Sequence, residues 1–214
     1  MHTPDDVPPL SEAFAVRLDL TPGWVDLTLP DGSKAAAEAL ATETVDRLNP
    51  LSPEIGKSAV RDDLADRALG LNEDAPVLAA AYYAESGEAL VDLVIDSYGD
   101  EGVPRPTAEE VVPLLLEWEN GVVAGEPEVT SLQLPAGPAT RIRATLKIRR
   151  MLGLGRRTAE FVRYAVFPPG MRSLVVVTAT WEKLRLTEEN AQRVDEIVAS
   201  LRLDLVDENG HDIV

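Results

Sequence analysis

Cysteine is absent from the 214-residue chain. That excludes disulfides and every metal site built on thiolate, and gives no sign of an oxidising compartment. Histidine is nearly absent. His2 and His211 stand near the two ends of the sequence, outside any triad or metal-ligand spacing, and neither is read as a base or a ligand. There is no Gly-x-Ser-x-Gly elbow and no phosphate loop. Gly153-Leu154-Gly155 follows an arginine pair instead of opening a helix, so no dinucleotide site is assigned to it. The residues point to no cofactor. Met1-His2-Thr3-Pro4-Asp5-Asp6 lacks the basic segment and apolar core of a secretory signal, and no apolar run approaches the length of a membrane-spanning helix. A cytoplasmic location is the expectation. Positive charge is scarce, with 20 Lys and Arg against 37 Asp and Glu, a net −17. Such a balance favours solubility and argues against general nucleic-acid binding.

Apolar residues, by contrast, make up 45% of the chain, which is enough for a sizeable core. Arginine outnumbers lysine and alanine is abundant, the composition of a GC-rich bacterial genome. The stretch Ala139 to Trp181 organises the rest. Thr140, Ile142, Ala144, Leu146 and Ile148 alternate with Arg141, Arg143, Thr145, Lys147 and Arg149, the period of a half-buried strand. A second strand is predicted over Glu160 to Phe167, ended by Pro168-Pro169-Gly170. A third covers Ser173 to Trp181, where the unbroken Leu174-Val175-Val176-Val177 predicts cover on both faces.

Before this stretch, Ala13–Leu20 and Trp24–Leu29 read as a hairpin about Thr21-Pro22-Gly23. Two helices follow, one capped by Asp31 or Ser33 and one from Pro53 to Leu69 with Gly70 after its last turn. Ile55, Val60, Leu64 and Ala68 form the inward side of the second. A hairpin over Pro76–Ala84 and Glu88–Tyr98 comes next. Thr107 and Glu110 have the spacing of a capping box for a helix to about Glu119, with Pro113 predicting a kink or a late start. Val129–Leu134 is a further strand. Thr187 caps a last helix, with Ala191, Val194, Ile197, Val198 and Leu201 as its apolar stripe. The organisation read from this is a flexible arm at 1–10, a single α+β domain at 11–203 and an acidic tail at 204–214. The order ββ-αα-ββ-α-ββββ-α with short turns implies a mainly antiparallel sheet flanked by helices in an α/β/α layered sandwich.

Phe14-Ala15-Val16 leading to Pro22-Gly23-Trp24, the tyrosine-bearing strand at Tyr164, the Gly170 turn, the valine-rich strand and Asp195-Glu196-Ile197-Val198-Ala199-Ser200-Leu201 together resemble the PsbP-like fold. That fold is shared by extrinsic photosystem proteins, a nuclear-transport GTPase-binding factor and several bacterial proteins. The two helices between Asp31 and Gly70 are longer than the corresponding part of its smaller members. The resemblance implies a non-enzymatic binding or assembly role, and it carries over no metal or partner residue.

The charge is unevenly spread. Residues 141 to 172 hold nine basic residues against the single acid Glu160, a net +8; since the whole chain is −17, the remainder is −25. Within that segment, Arg149-Arg150-Met151-Leu152-Gly153-Leu154-Gly155-Arg156-Arg157 sets apolar residues between two arginine pairs. Arg149, Arg150, Met151, Leu152, Leu154, Arg156 and Arg157 are therefore the candidate partner-binding residues. With the basic strand face they would suit a protein partner whose surface is acidic or acidic-hydrophobic, ahead of an anionic membrane. The acidic pairs Asp62-Asp63, Glu109-Glu110 and Glu188-Glu189 read as solvated helix positions. The tryptophans Trp24, Trp118 and Trp181 read as core or core-edge residues. The sequence thus points to a non-enzymatic adaptor or chaperone-like module. The alternatives are a small-molecule carrier or enzyme with a pocket between sheet and helices, and a homo-oligomer joining acidic helices to basic strands.

Overall fold

The computed structural model describes residues 14–48, 55–99, 103–149 and 156–205. Its centre is a seven-stranded antiparallel sheet built from β2 (Trp24–Asp26), β3 (Leu78–Tyr83), β4 (Ala89–Tyr98), β5 (Gly121–Leu134), β6 (Gly137–Arg149), β7 (Arg156–Val166) and β8 (Leu174–Trp181), in the order β2-β3-β4-β8-β7-β6-β5. The alternation expected from Thr140 to Ile148 is present in β6. Arg141 and Arg143 lie opposite Tyr164 and Val162 of β7, while Ile142 and Ala144 lie opposite Arg163 and Phe161. The three strands of the organising stretch are neighbours, and β8 is central.

One face of the sheet carries Leu93, Ile95, Val162, Tyr164, Val175 and Val177, buried against Ala191, Val194, Ile197 and Val198 of α4 (Thr187–Val198). β1 (Phe14–Arg17) and β9 (Arg202–Leu205) form a separate two-stranded sheet against the same core. Here the structure corrects the sequence reading. The turn at Thr21–Trp24 exists, with the Trp24 amide donating to the Thr21 carbonyl at 3.0 Å and Gly23 at φ 97°. It redirects the chain instead of closing a hairpin: β1 pairs with β9, and β2 joins β3. Phe14, Val16 and Leu203 thereby reach the α4 core. The backbone at 204 and 205, assigned to a tail, belongs to that strand pair. Thr187 also differs from its expected role. Its hydroxyl makes no cap bond but accepts from Trp181 Nε1 at 3.2 Å.

The opposite face is covered in two separate places. α1 (Lys34–Leu48) and α2 (Lys57–Leu71) pack Ala37, Ala41, Val60, Leu64 and Ala68 onto Ala79, Ala81 and Tyr83. Ser33 caps α1 as expected, its hydroxyl accepting from the Ala36 amide at 3.1 Å. α2 departs from expectation at both ends. Ile55 precedes it and is 37% exposed, and Gly70 lies inside it. Asn72 ends it instead, donating to the carbonyls of Leu27 and Ala68 and accepting from the Leu29 amide, a buried side chain satisfied three times.

Far along the same face, α3 (Val111–Leu115) sets Val111 and Leu115 on Ile142, Leu146, Phe161 and Val176. The Thr107–Glu110 box forms in both directions, at 2.9 Å and 3.3 Å. Pro113 fits the first turn of a helix that starts late, at Val111. The helix stops well short of Glu119, because Trp118 turns inward to meet Phe161 edge-on, with ring centroids 5.0 Å apart. Observed β5 is longer than expected, extending back to Gly121 through a register shift between Ala124 and Glu128.

Gly137 opens β6 at φ 139°, and a Cβ built there would stand 2.6 Å from the Phe167 carbonyl oxygen. Gly137→Ala is expected to destabilise by about 1–3 kcal/mol through enforced strain. Gly56→Ala, facing open space, serves as the control. Urea midpoints of the two variants check this; equal midpoints would contradict it.

Candidate functional site

The expected basic strand face is occupied from within. Arg141 Nε and Nη2 donate to the two carboxylate oxygens of Asp195 at 2.9 and 3.2 Å, and the Tyr164 hydroxyl donates to the same group. Arg143 makes a paired contact with Glu188. Both carboxylates come from α4, on the same side of the sheet. Burial opposes the charge on Arg141, yet Asp195 and Tyr164 hold its pKa above the ordinary value. Tyr164 is pushed up by burial and by its bond to Asp195. Arg141 and Arg143 therefore hold α4 in place and are not presented to a partner. Of the expected loop residues, Arg150, Met151, Leu152 and Leu154 lie outside the described residues, as do His2 and His211. Arg149 and Arg156 form the last register pair of β6 and β7. Arg157 is exposed and ion-paired with Glu182.

The face opposite α4 has an opening between α1–α2 and α3. Its floor is polar at the centre of the sheet, with Asp92 and Asp96 of β4, Thr178 and Thr180 of β8, and Arg163 of β7. Register places Asp92 beside Thr180, and Thr178 beside both Val94 and Arg163. Two cavities meet there. One, of about 380 Å³, lies beside α3 over Leu174, Val176 and Thr178, with Tyr98, Val103 and Leu114 on its rim. These three side chains are 55%, 58% and 51% exposed. The other, of about 760 Å³, runs toward Arg67, Asp92, Arg157 and Lys183. Tyr98, Glu117 and Arg163 border both.

Arg163 holds the junction. Nη1 donates to the carbonyls of Leu115 and Glu117 at 2.9 and 2.8 Å, closing the end of α3, and Nε donates to Thr178 at 3.3 Å. Its guanidinium lies 3.8 Å from the centroid of the Trp118 ring. Among the described residues no carboxylate reaches it within ion-pair distance. Burial pulls its pKa below the ordinary arginine value, with only partial opposition from Tyr98 and Asp96. Arg67, equally set in the sheet–helix interface, shows the contrast. It pairs with Asp63 and with Asp92 at 2.6 Å, Asp63 also accepts from the Tyr83 hydroxyl, and despite burial its pKa is held high. That network is a closed structural lock; Arg163 is an open cation. The Trp118 Nε1 hydrogen is also buried without a partner.

Sequence reasoning counted Arg163 as one of nine basic residues; its alternative of a pocket between sheet and helices neither located this cleft nor assigned Arg163 to it. The available signal was polar residues recurring on one side of β4 and β8, Asp92 with Asp96 and Thr178 with Thr180, against an almost wholly apolar other side. Among the described residues no group of three or more His, Cys, Asp or Glu is arranged to hold a metal ion, and no helix is long and apolar enough to cross a membrane.

No protein-family model matches the chain, and no curated protein matches it. Among solved structures it is similar to LpqN of Mycobacterium tuberculosis, whose structure is described as that of a protein involved in cell envelope biogenesis. The identity is 11% and the TM-score 0.45, over 92% of this chain and 86% of that one. The likeness is a distant fold relationship and names neither a PsbP-like protein nor a ligand.

Asp96 supplies a pH test. Burial, and then Asp74, raise its pKa above the ordinary 3.8. Because the folded value is the higher one, the folded state holds its proton longer than the unfolded state. Ionised Asp96 therefore opposes folding fully above the folded pKa, and this opposition vanishes below the unfolded one. Asp96→Asn should raise the melting temperature at pH 7 by about 2–4 °C per kcal/mol of relief. The gain should shrink as pH falls through the folded pKa toward 3.8. A gain that is flat with pH, or a loss at pH 7, would contradict this.

Proposed function

We propose that this chain is a non-enzymatic binding module that captures an acidic-hydrophobic segment of a partner protein in the cleft between α3 and the sheet. Arg163 carries the reading. It is a partly buried guanidinium without a carboxylate partner, at the back of a cleft whose apolar rim stays in water. In a chain of net charge −17 an acid partner is easy to supply, and eight other described arginines, Arg17, Arg47, Arg61, Arg67, Arg141, Arg143, Arg157 and Arg202, have one. Aromatic and aliphatic anchors grouped about an arginine are where interface energy concentrates. An incoming leucine or phenylalanine would cover Tyr98, Val103 and Leu114 and rest on Leu174 and Val176. Each Å² of apolar surface so buried contributes about 25 cal/mol. A neighbouring carboxylate would take the Nη2 edge of Arg163, a charge-assisted bond worth about 1.5–3 kcal/mol.

The order of elements supports reading the fold as PsbP-like, and with it the binding role that the resemblance implies. The loop from Arg149 to Arg157 is a second contact in this proposal, because Arg157, next to the last register pair of β6 and β7, borders the larger cavity.

Fluorescence anisotropy with a labelled peptide of alternating leucine and glutamate tests the proposal, with a leucine–glutamine peptide as the neutral control. Arg163→Met should weaken binding of the acidic peptide by about tenfold to a hundredfold, the equivalent of that bond, and leave the neutral peptide unaffected. Leu114→Asp, at an exposed position, should weaken both. Binding indifferent to both substitutions, or no binding by the parent chain, would sink the reading.

A further inference from the structure

We infer that β5 is a self-association edge, through which two copies of this chain pair strand to strand about a two-fold axis. β5 closes one end of the sheet with fourteen residues, whereas β2 at the other end has three. A long exposed edge offers a row of free amides and carbonyls, and proteins that stay monomeric blunt it with charge, proline or a bulge. β5 carries all three devices, but only in its first half. Its register breaks between Ala124 and Glu128, around Gly125-Glu126-Pro127, with Gly125 at φ 81°. From Glu128 to Leu134 the pairing with β6 is continuous, and this arm holds no lysine, no proline and one charge, Glu128. Glu128, Val129, Thr130, Ser131 and Gln133 are exposed, Val129 at 47%.

The arm is complementary to itself. Antiparallel pairing about Ser131 sets Glu128 opposite Leu134, Val129 opposite Gln133 and Thr130 opposite Leu132, so no like charges meet. The two carboxylates fall at the outer ends. Two-fold pairing of identical patches is the commonest way a chain associates with itself. A basic partner strand would find one charge to recognise, at the end of the arm, whereas a second copy matches its length and neutrality throughout. The opposing force is the −17 on each copy. That repulsion is long-ranged and screened by salt, so pairing through β5 strengthens as salt rises. Association of acidic helices with basic strands would do the opposite.

Sedimentation equilibrium of the full chain tests this between about 0.01 M and 0.15 M salt, over which the screening length falls from about 30 Å to about 8 Å. The mass should rise toward twice the 23.1 kDa of one chain. At the higher salt, Ser131→Lys and Ser131→Asp should each stay monomeric, because each sets like charges across the axis. Their equimolar mixture should recover the dimer. Circular dichroism of each variant confirms its fold. A monomer at every salt concentration, a dimer that salt dissolves, or Ser131 variants that pair like the parent would each overturn the inference.

Discussion

Arg141 and Tyr164 stand side by side on β6 and β7, and both grip Asp195 of α4. With Arg143 on Glu188 two residues further along β6, this pairing fixes which side of the sheet the last helix covers. The strongly alternating strand of the chain has one apolar and one basic side, and either could have faced solvent on periodicity alone. The helix settles it by bringing carboxylates to the arginines while its apolar stripe fills the core. The remaining decisions follow. β1 and β9 close over the same side, and the apolar side of β6 must be covered from the other direction.

That other direction is short of cover. α1 and α2 serve the β2–β4 end, and α3, five residues long, serves the β6–β8 end. A sheet seven strands wide is broader than these elements span. The sequence meets the gap with polar side chains where it would otherwise leave apolar floor in water, which is why Asp92, Asp96, Thr178 and Thr180 occur in central strands. Burial raises the pKa of both acids, against Arg67 in the case of Asp92. The cleft beside α3 is the place where apolar rim and unpaired cation coincide, and it exists because α3 is short.

Much of the fold was legible in the residues. Period-two alternation located β6, turn residues bounded β7 and β8, and the Thr107–Glu110 spacing gave a capping box that the structure forms. What failed was non-local. The Pro22-Gly23 turn is real, but whether a turn closes a hairpin depends on what the far end of the chain offers, and Leu203 with α4 offered β1 a better core. Gly70 looked like a helix stop until buried Asn72 proved able to satisfy three backbone groups beyond it. The basic segment was counted correctly, but Arg141, Arg143 and Arg157 in it are paired, because net charge along a sequence does not say which carboxylates the fold will bring back. A pocket between sheet and helices was among the alternatives, but its place was not read, for the same reason in reverse. Arg163 looks like its neighbours in sequence, and only the fold shows that no acid among the described residues pairs with it.

The distribution of ion pairs gives the charge its meaning. A chain with nearly twice as many acids as bases can neutralise its arginines cheaply, and the exposed pairs that result, such as Arg202 with Asp19 or Arg47 with Glu43, contribute little each. Their effect is to leave the remaining acids in excess. Against that background, two places stand out among the described residues: the partly buried Arg163 guanidinium, which no described carboxylate pairs, and the second half of β5, almost without charge. Both sit where the architecture runs out, one where helices end over a broad sheet and one where the sheet itself ends. Intramolecular packing can satisfy neither a cation facing an open cleft nor the outer side of a terminal strand. Contact with another molecule can, and the two places differ in what they demand of it, an anion beside an apolar group in one case and a bare backbone in the other.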